Sequence, residues 1–402
     1  MRICIIVLIL VLGVDSFSAP QTYYLSKTKK NEVRSFLIRL ATEKYHYSVT
    51  LTPIKNAVSV ARLEVKGNEP LYAVEGGNKG ACIDDFCLQT VSNLEEAHVD
   101  GAIYHRVASD FIRPLKLSVD VKSKISKDFN LVELTPPSAE DATEFVAILS
   151  GEKSTRGQNI KDRRTNENKK LAREYLRSEY EKMGYSIKEV AFSQGGYSGI
   201  NLVAEKKGTE KGFVIVSAHY DTVNCPGADD DGSGIATSLL LAKSLSQSQL
   251  KHGIQFVAFD LEEVGLIGSR AYAKHLESQK QMENLLGVFQ VEMTGYNPQN
   301  RNGIHVIDCE ENTSADLSKL VIESIEENGL PLKRVKACTD RSDHAIFWSY
   351  NRPAIVVSQN FFGGDGNPCY HRKCDQQREL DHKYLAEIAH GILGAVAKII
   401  LP

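Results

Sequence analysis

The residues able to do chemistry cluster in the second half of the chain. His219 and Asp221 lie two apart, just after the apolar run Val214-Ile215-Val216. Three successive aspartates, Asp229, Asp230 and Asp231, stand between Gly227-Ala228 and Gly232-Ser233-Gly234. Glu262 and Glu263 follow the run from Ile254 to Phe259, and Glu292 lies near the end of Gly287-Val288-Phe289-Gln290-Val291. His371 follows the loop Gly363-Gly364-Asp365-Gly366-Asn367-Pro368. Imidazole nitrogen and carboxylate oxygen are donors for a divalent cation. Three adjacent carboxylates repel one another; a helix N-terminus relieves part of this and a cation relieves more. A lone charge inside a buried strand is costly unless paired or metal-bound. Asp221, on the same side of an extended chain as His219, suits the second nitrogen of that ring. The paired glutamates suit a division of labour between a ligand and a general base.

Alone, His-x-Asp, the glutamate pair and the loop histidine are unremarkable, and the aspartate triplet raises them. Their common position is what matters, because each candidate strand carries its polar residue at its C-terminal end, where open α/β sheets bind ligands. Val214–Val216 and Ile254–Phe259 read as buried strands, being short, continuous and rich in β-branched and aromatic residues. Ile235 to Ala242 continues the aspartate loop as a buried helix. Asn166 to Gly184 reads as an amphipathic helix with Leu171, Ala172, Tyr175, Leu176, Tyr180 and Met183 on one face. Strand-like segments follow at Ser186–Phe192 and Gly199–Lys206. Alternation of strands and helices indicates an α/β domain. Pro136-Pro137 ends any preceding helix or central strand, and Ser138 with Asp141 reads as a helix N-cap. A domain boundary is placed here, giving a catalytic unit over 135–402.

Residues 19–134 read as a separate small α+β unit, propeptide-like or a permanent accessory domain. A helix is expected over Asn31–Tyr45, where Val33, Phe36, Leu37, Leu40 and Ala41 fall at helical spacing. Strands are expected at Ser59–Val65, Tyr72–Glu75, Ile103–Val107 and Leu115–Val121.

The chain has 402 residues, 42% of them hydrophobic, and a net charge of -3, which argues against a nucleic-acid surface. Residues 1–18 read as a signal peptide, with Arg2 before the apolar stretch from Ile3 to Val14 and small residues Ser16 and Ser18 at the cleavage site. The mature chain is therefore expected to be secreted, extracellular or periplasmic, with no membrane span and as a monomer. Of eight cysteines, Cys4 leaves with the signal. Cys82 with Cys87 and Cys369 with Cys374 are close enough in sequence to close small loops. Cys225, Cys309 and Cys338 are left unpaired by spacing alone. Asn312-Thr313-Ser314 is a glycosylation sequon.

From about Thr135 to Pro402 the chain resembles the co-catalytic di-zinc exopeptidases of clan MH, of the bacterial leucyl aminopeptidase type. Their pattern is His-x-Asp, then Gly-Ala-Asp-Asp-(Asp/Asn)-x-(Ser/Ala)-Gly, Glu-Glu, Asp, Ser-Asp-His and a final His. This sequence matches all but one element in order. The resemblance implies a three-layer sandwich, a mostly parallel mixed sheet flanked by helices. It implies two Zn2+ per chain, with His219 and Glu292 on one ion, Glu263 and His371 on the other, and Asp230 bridging. Glu262 would be the general base and Asp221 would orient His219. Ser342-Asp343-His344 would lie beside the site or face the substrate. Glu292 is the departure, since the family pattern has Asp there.

The implied activity is removal of N-terminal residues from peptides or proteins. A glutamate-carboxypeptidase type of exopeptidase would need a cation for the substrate carboxylate, such as Arg341 or Arg372. A glutaminyl cyclase of the same fold would carry Trp before the last histidine, where Tyr370 stands; the sole tryptophan is Trp348. A receptor-like, non-catalytic homologue would have lost ligands, and none is lost.

Overall fold

In the computed structural model residues 124–125, 134–194, 196–311 and 313–402 are described in full, and before them the backbone of eight strands. β1 (Gln21–Lys29), β2 (Ile38–Ala41), β3 (Tyr45–Thr50) and β4 (Ser59–Val65) form an antiparallel sheet in the order β2-β3-β1-β4. β5 (Leu71–Glu75), β6 (Ala81–Ile83), β7 (Phe86–Thr90) and β8 (Ile103–Val107) form a second, in the order β6-β7-β5-β8. The helix expected over Asn31–Tyr45 is overturned where the chain is described. Ile38 pairs with Val49 and Leu40 with Tyr47 in backbone register, so this segment is a strand. Cys82 and Cys87 stand opposite each other in register. The signal peptide, Leu115–Val121 and Asn312 lie outside the described residues.

The rest is built on one eight-stranded sheet. Its strands are β9 (Ser186–Gln194), β10 (Tyr197–Lys206), β11 (Phe213–His219), β12 (Gly253–Phe259), β13 (Leu285–Glu292), β14 (Gly303–Ile307), β15 (Lys333–Arg334) and β16 (Ala354–Gln359). The order is β15-β14-β16-β13-β11-β12-β10-β9. The central strands β12, β11, β13 and β16 are parallel; β10 pairs antiparallel to β9 and β12, and β14 antiparallel to β16 but parallel to β15. The central strands are buried on both faces, and this is why they read as unbroken apolar runs.

Alternate residues of these strands feed two cores. Val214, Val216, Ile254, Phe256 and Phe289 pack under α1 (Ala139–Leu149), α2 (Asn166–Lys182), α3 (Gly232–Leu245), α5 (Ser314–Glu327) and α7 (His382–Ile400). Ile215, Val257, Phe259 and Val288 pack under α4 (Ile267–Ser278) and α6 (His344–Ser349). The sheet and its two helical layers make the three-layer sandwich. Ile125 and Leu134 also pack against the larger core, so the chain touches this domain before the Pro136-Pro137 turn. Ser138 caps α1 by accepting from the Asp141 amide. No helix among the described residues is long and apolar enough to cross a membrane.

Candidate metal centre

Register places the first two site residues. On β11 and β13, Ser217 is paired with Gln290, and the Ser217 hydroxyl donates to Gln290 Oε1 at 2.6 Å in the core. His219 and Glu292 are each two residues further on, so they continue the same face at the C-terminal edge. His219 Nε2 lies 3.4 Å from Glu292 Oε1. The Glu292 arm reaches Ser342, whose hydroxyl donates to Oε2 at 2.7 Å.

The aspartate triplet divides by the partners of its oxygens. Asp231 caps α3: Oδ1 accepts from the Gly234 and Met293 amides, and Oδ2 from the His219 amide. A Cβ at Gly234 would stand 2.2 Å from Asp231 Oδ1, so only glycine leaves room for that cap. Asp229 accepts from the Gly295 amide, Ser233, Gln359 and Asn367. Asp230 is different. Its Oδ1 faces His219 Nε2 at 3.2 Å and its Oδ2 faces His371 Nε2 at 3.0 Å. His371 Nε2 is also 3.0 Å from Glu263 Oε2.

Neither Asp230 Oδ2 nor His371 Nε2 makes a hydrogen bond, although both are buried and 3.0 Å apart. Lone pairs that converge without bonding, at a spot enclosed by carboxylates, fit a cation between them. His219, Asp230 and Glu263 each bring a donor atom within 4.8 Å of one another, and so do His219, Asp231 and Glu292. In the second group the Asp231 oxygens are already taken by backbone amides, which leaves Asp230 as the donor on that side.

Asp221 braces the glutamates. Its carboxylate accepts from the Glu262 amide at 3.0 Å and the Glu263 amide at 3.2 Å. His219 Nδ1 donates to the Asp221 carbonyl at 3.1 Å, closer than the carboxylate at 3.6 Å. That bond keeps the proton on Nδ1 and leaves the Nε2 lone pair facing the centre. The expected orientation of His219 by Asp221 thus runs through its backbone oxygen, while the side chain holds the next strand end. Glu262 Oε2 is 3.9 Å from His219 Nε2, and its side chain is 12% exposed, so it reaches the cleft.

Ser342 and Asp343 border the cluster. His344 does not, because its Nε2 is bonded to the Thr339 carbonyl and its ring lies edge-on to Trp348. The left-handed backbone at Leu261, Met293 and His371 adjoins or carries the cluster residues. Such positions cost about 1–3 kcal/mol each and are held by their surroundings.

Charge follows from this crowding. Burial pushes Glu262 and Glu263 above the usual carboxylate range, with neighbouring carboxylates adding to the effect. Asp343 is pushed up to about 7, chiefly by burial. Burial opposes ionisation of Asp230 too, but the two histidines hold it below the usual range. Burial likewise opposes protonation of His371, yet Glu263 and Asp230 raise it to about 10. A divalent cation would replace these protons as the compensating charge.

Several supports have no signal in the sequence. Asp375 accepts from the Asp229 and Asp230 amides at 2.8 and 3.1 Å, across 146 and 145 residues of chain. Arg163 is fully buried and donates to the carbonyls of Leu149, Tyr220, Pro226 and Gly227, fixing the loop between His219 and the aspartates. Lys169 and Asp260 form a buried ion pair at 2.8 Å just before Glu262. Among the cysteines, Cys369–Cys374 and Cys309–Cys338 are bonded and Cys225 is a buried free thiol. The cleft over the centre is lined by Met293, Ile307, Val356, Phe361, Phe362 and Arg341.

Residues 201–396 match the family profile described as peptidase family M28. The chain is similar to the aminopeptidase YwaD of Bacillus subtilis, 31% identical over 192 residues that cover 46% of this chain and 40% of that protein. It is similar to leucine aminopeptidase 1 of Ajellomyces capsulatus, 28% identical over 221 residues that cover 50% of this chain and 56% of that protein. The chain therefore spans about half the length of these curated relatives. Among solved structures, the LapA aminopeptidase of Legionella pneumophila superposes with a TM-score of 0.61 at 17% identity, over 95% of this chain and 99% of that one, which shows a shared fold. Through residues 201–396 this chain is thus similar to peptidase family M28.

Proposed function

We propose that the protein is an exported metallo-aminopeptidase that hydrolyses N-terminal residues from peptides, with two Zn2+ held on its own side chains. The observation that carries this reading is Asp230, which turns one oxygen to each of two histidines and keeps Oδ2 free of hydrogen bonds. His219 and Glu292 would hold one ion and Glu263 and His371 the other, with Asp230 shared. Mixed imidazole and carboxylate donors suit zinc. When bound, such ions supply Lewis acidity toward a peptide carbonyl and make water more acidic.

The protein's own part is positioning and proton transfer. Glu262 projects from the Asp221-braced turn toward the cleft. There it would take a proton from the attacking water and give it to the leaving amine. Its raised proton affinity suits that task, because a base works best with a pKa near the working pH. Met293, Ile307, Val356, Phe361 and Phe362 support an apolar N-terminal residue in the cleft. Tyr370, stacked on His371 at 3.9 Å, stands where a glutaminyl cyclase would have Trp. Export is supported by the two disulfides. Residues 19–134 would be a separate unit before the catalytic domain.

Arg341 in the cleft lining favours one second reading, a carboxypeptidase that binds a terminal carboxylate. A panel of aminoacyl-anilides against N-blocked peptides separates the two. Cleavage of free-amine substrates, fastest with apolar residues, is expected; cleavage of N-blocked substrates alone rejects the aminopeptidase reading.

A further inference from the structure

We infer that the two disulfides are positioning devices for the metal centre, each bracing one half of it. The inference rests on the two-ion reading above.

Cys369–Cys374 closes a loop whose interior carries Tyr370 and His371. His371 adopts φ 59, so its ring is aimed by a backbone conformation that a free loop would rarely keep. Both stems of the loop grip the aspartate turn. Before the bridge, Asn367 accepts from the Cys369 amide at 2.8 Å and donates to Asp229 Oδ2 at 2.8 Å. After it, Asp375 accepts from the Asp229 and Asp230 amides. Between the stems lie Arg372 and Lys373, both exposed, with Lys373 donating to Asn224 Oδ1 at 2.7 Å. The covalent bond adds to these clasps in holding His371 Nε2 3.0 Å from both Asp230 and Glu263.

Cys309–Cys338 serves the other half. Cys309 follows β14, and Cys338 precedes the segment Thr339–Ser342, at a sequence separation of 29. This segment ends at Ser342, whose hydroxyl holds Glu292 Oε2. The bridge ties the serine to the sheet edge, and the serine fixes the longer glutamate arm facing His219. Cross-linking removes loop freedom that metal binding would otherwise have to freeze.

The test is zinc titration of the metal-stripped, full-length protein against a competing chelator, with metal content measured directly. The wild type is expected to bind two ions. C369S/C374S is expected to weaken the His371–Glu263 ion about 10–100-fold, the range for partners that orient ligands, and to leave the other ion within about 3-fold. C309S/C338S is expected to do the reverse. Single-ion backgrounds assign the sites: in H371A the first pair of substitutions should change nothing, and in E292A the second should change nothing. If a variant does not fold, the wild type is titrated after graded reduction, with alkylation and mass spectrometry showing which bridge has opened. Loss of a specific ion with its bridge supports the inference. Equal weakening of both ions by each pair, or a melting shift with no change in either affinity, overturns it. A wild type that binds fewer than two ions overturns the two-ion reading instead.

Discussion

The two halves of the candidate metal centre are made differently. His219 and Glu292 are the last inward-facing residues of adjacent parallel strands, one step beyond the Ser217–Gln290 pair. Their geometry is inherited from sheet register, which the whole core enforces. Glu263 and His371 lie on a turn and on a disulfide loop. Their geometry depends on local clasps: Asp221 for the glutamates, and Asn367, Asp375 and the bridge for the histidine. The strand-borne half should therefore tolerate loosening of its surroundings better than the loop-borne half. Asp230 faces both, with one oxygen toward His219 and the other toward His371.

That makes Asp230 the place where the comparison breaks most completely. Asp230→Asn is expected to lower affinity for both ions together and to cut kcat/KM by at least about 10⁴-fold, since metal and base contributions are lost jointly. Metal content after dialysis decides the matter. A variant that retains one full equivalent in either half would show that the aspartate is not shared.

Glu262→Gln separates chemistry from binding. The side chain is near His219 but is not among the clustered donors, so both ions should remain while kcat falls about 10²–10⁴-fold. Near-normal hydrolysis by this variant would remove Glu262 from the proton-transfer role.

The strand-borne half was the more legible one. Val214–Val216 and Ile254–Phe259 advertise themselves as buried strands, and a polar residue at the end of each marks the catalytic edge. The register that brings His219 to Glu292 cannot be read from the chain, because it depends on which strands become neighbours. The His-x-Asp, triple-Asp and Glu-Glu pattern identified the loop-borne residues through resemblance, not through any local geometry. Arg163, Asp260 and Asp375 were missed because burial, not spacing, gives them their roles. The helix expected over Asn31–Tyr45 failed for a related reason. Phe36, Leu37, Leu40 and Ala41 satisfy a helical spacing while Ile38 and Leu40 also satisfy a two-residue alternation, and pairing with Tyr45–Thr50 decided for the strand.

Acid should find the segment behind the strand-borne half. His344 Nε2 bonds the Thr339 carbonyl, and burial pushes its pKa down to about 4 from 6.5. The unfolded chain therefore binds this proton more readily. The His344 contribution is fully present above about pH 6.5 and is lost as pH falls toward 4. The difference of about 2.5 pH units corresponds to about 3 kcal/mol at about 1.36 kcal/mol per unit. Urea unfolding of the metal-free protein at pH 7 and pH 4.5, compared with His344→Gln, isolates it from other groups. A stability difference between the two proteins that is independent of pH would contradict this account.

The smallest effect tests the joint between the two kinds of support. Ser342 turns the Thr339–Ser342 loop into a brace for the Glu292 side chain. Removing its hydroxyl leaves Glu292 Oε2 without the 2.7 Å bond but leaves the strand register intact. A hydrogen bond to a charged group contributes about 1.5–3 kcal/mol, and part of this returns as solvent reaches the 17% exposed side chain. Ser342→Ala should therefore weaken the His219–Glu292 ion about 5–10-fold and leave the His371–Glu263 ion unchanged. If Cys309–Cys338 acts through this serine, opening that bridge in the Ser342→Ala background should add little to the loss. Additive losses would mean that the bridge reaches Glu292 by another route, and the comparison would then rest on register alone.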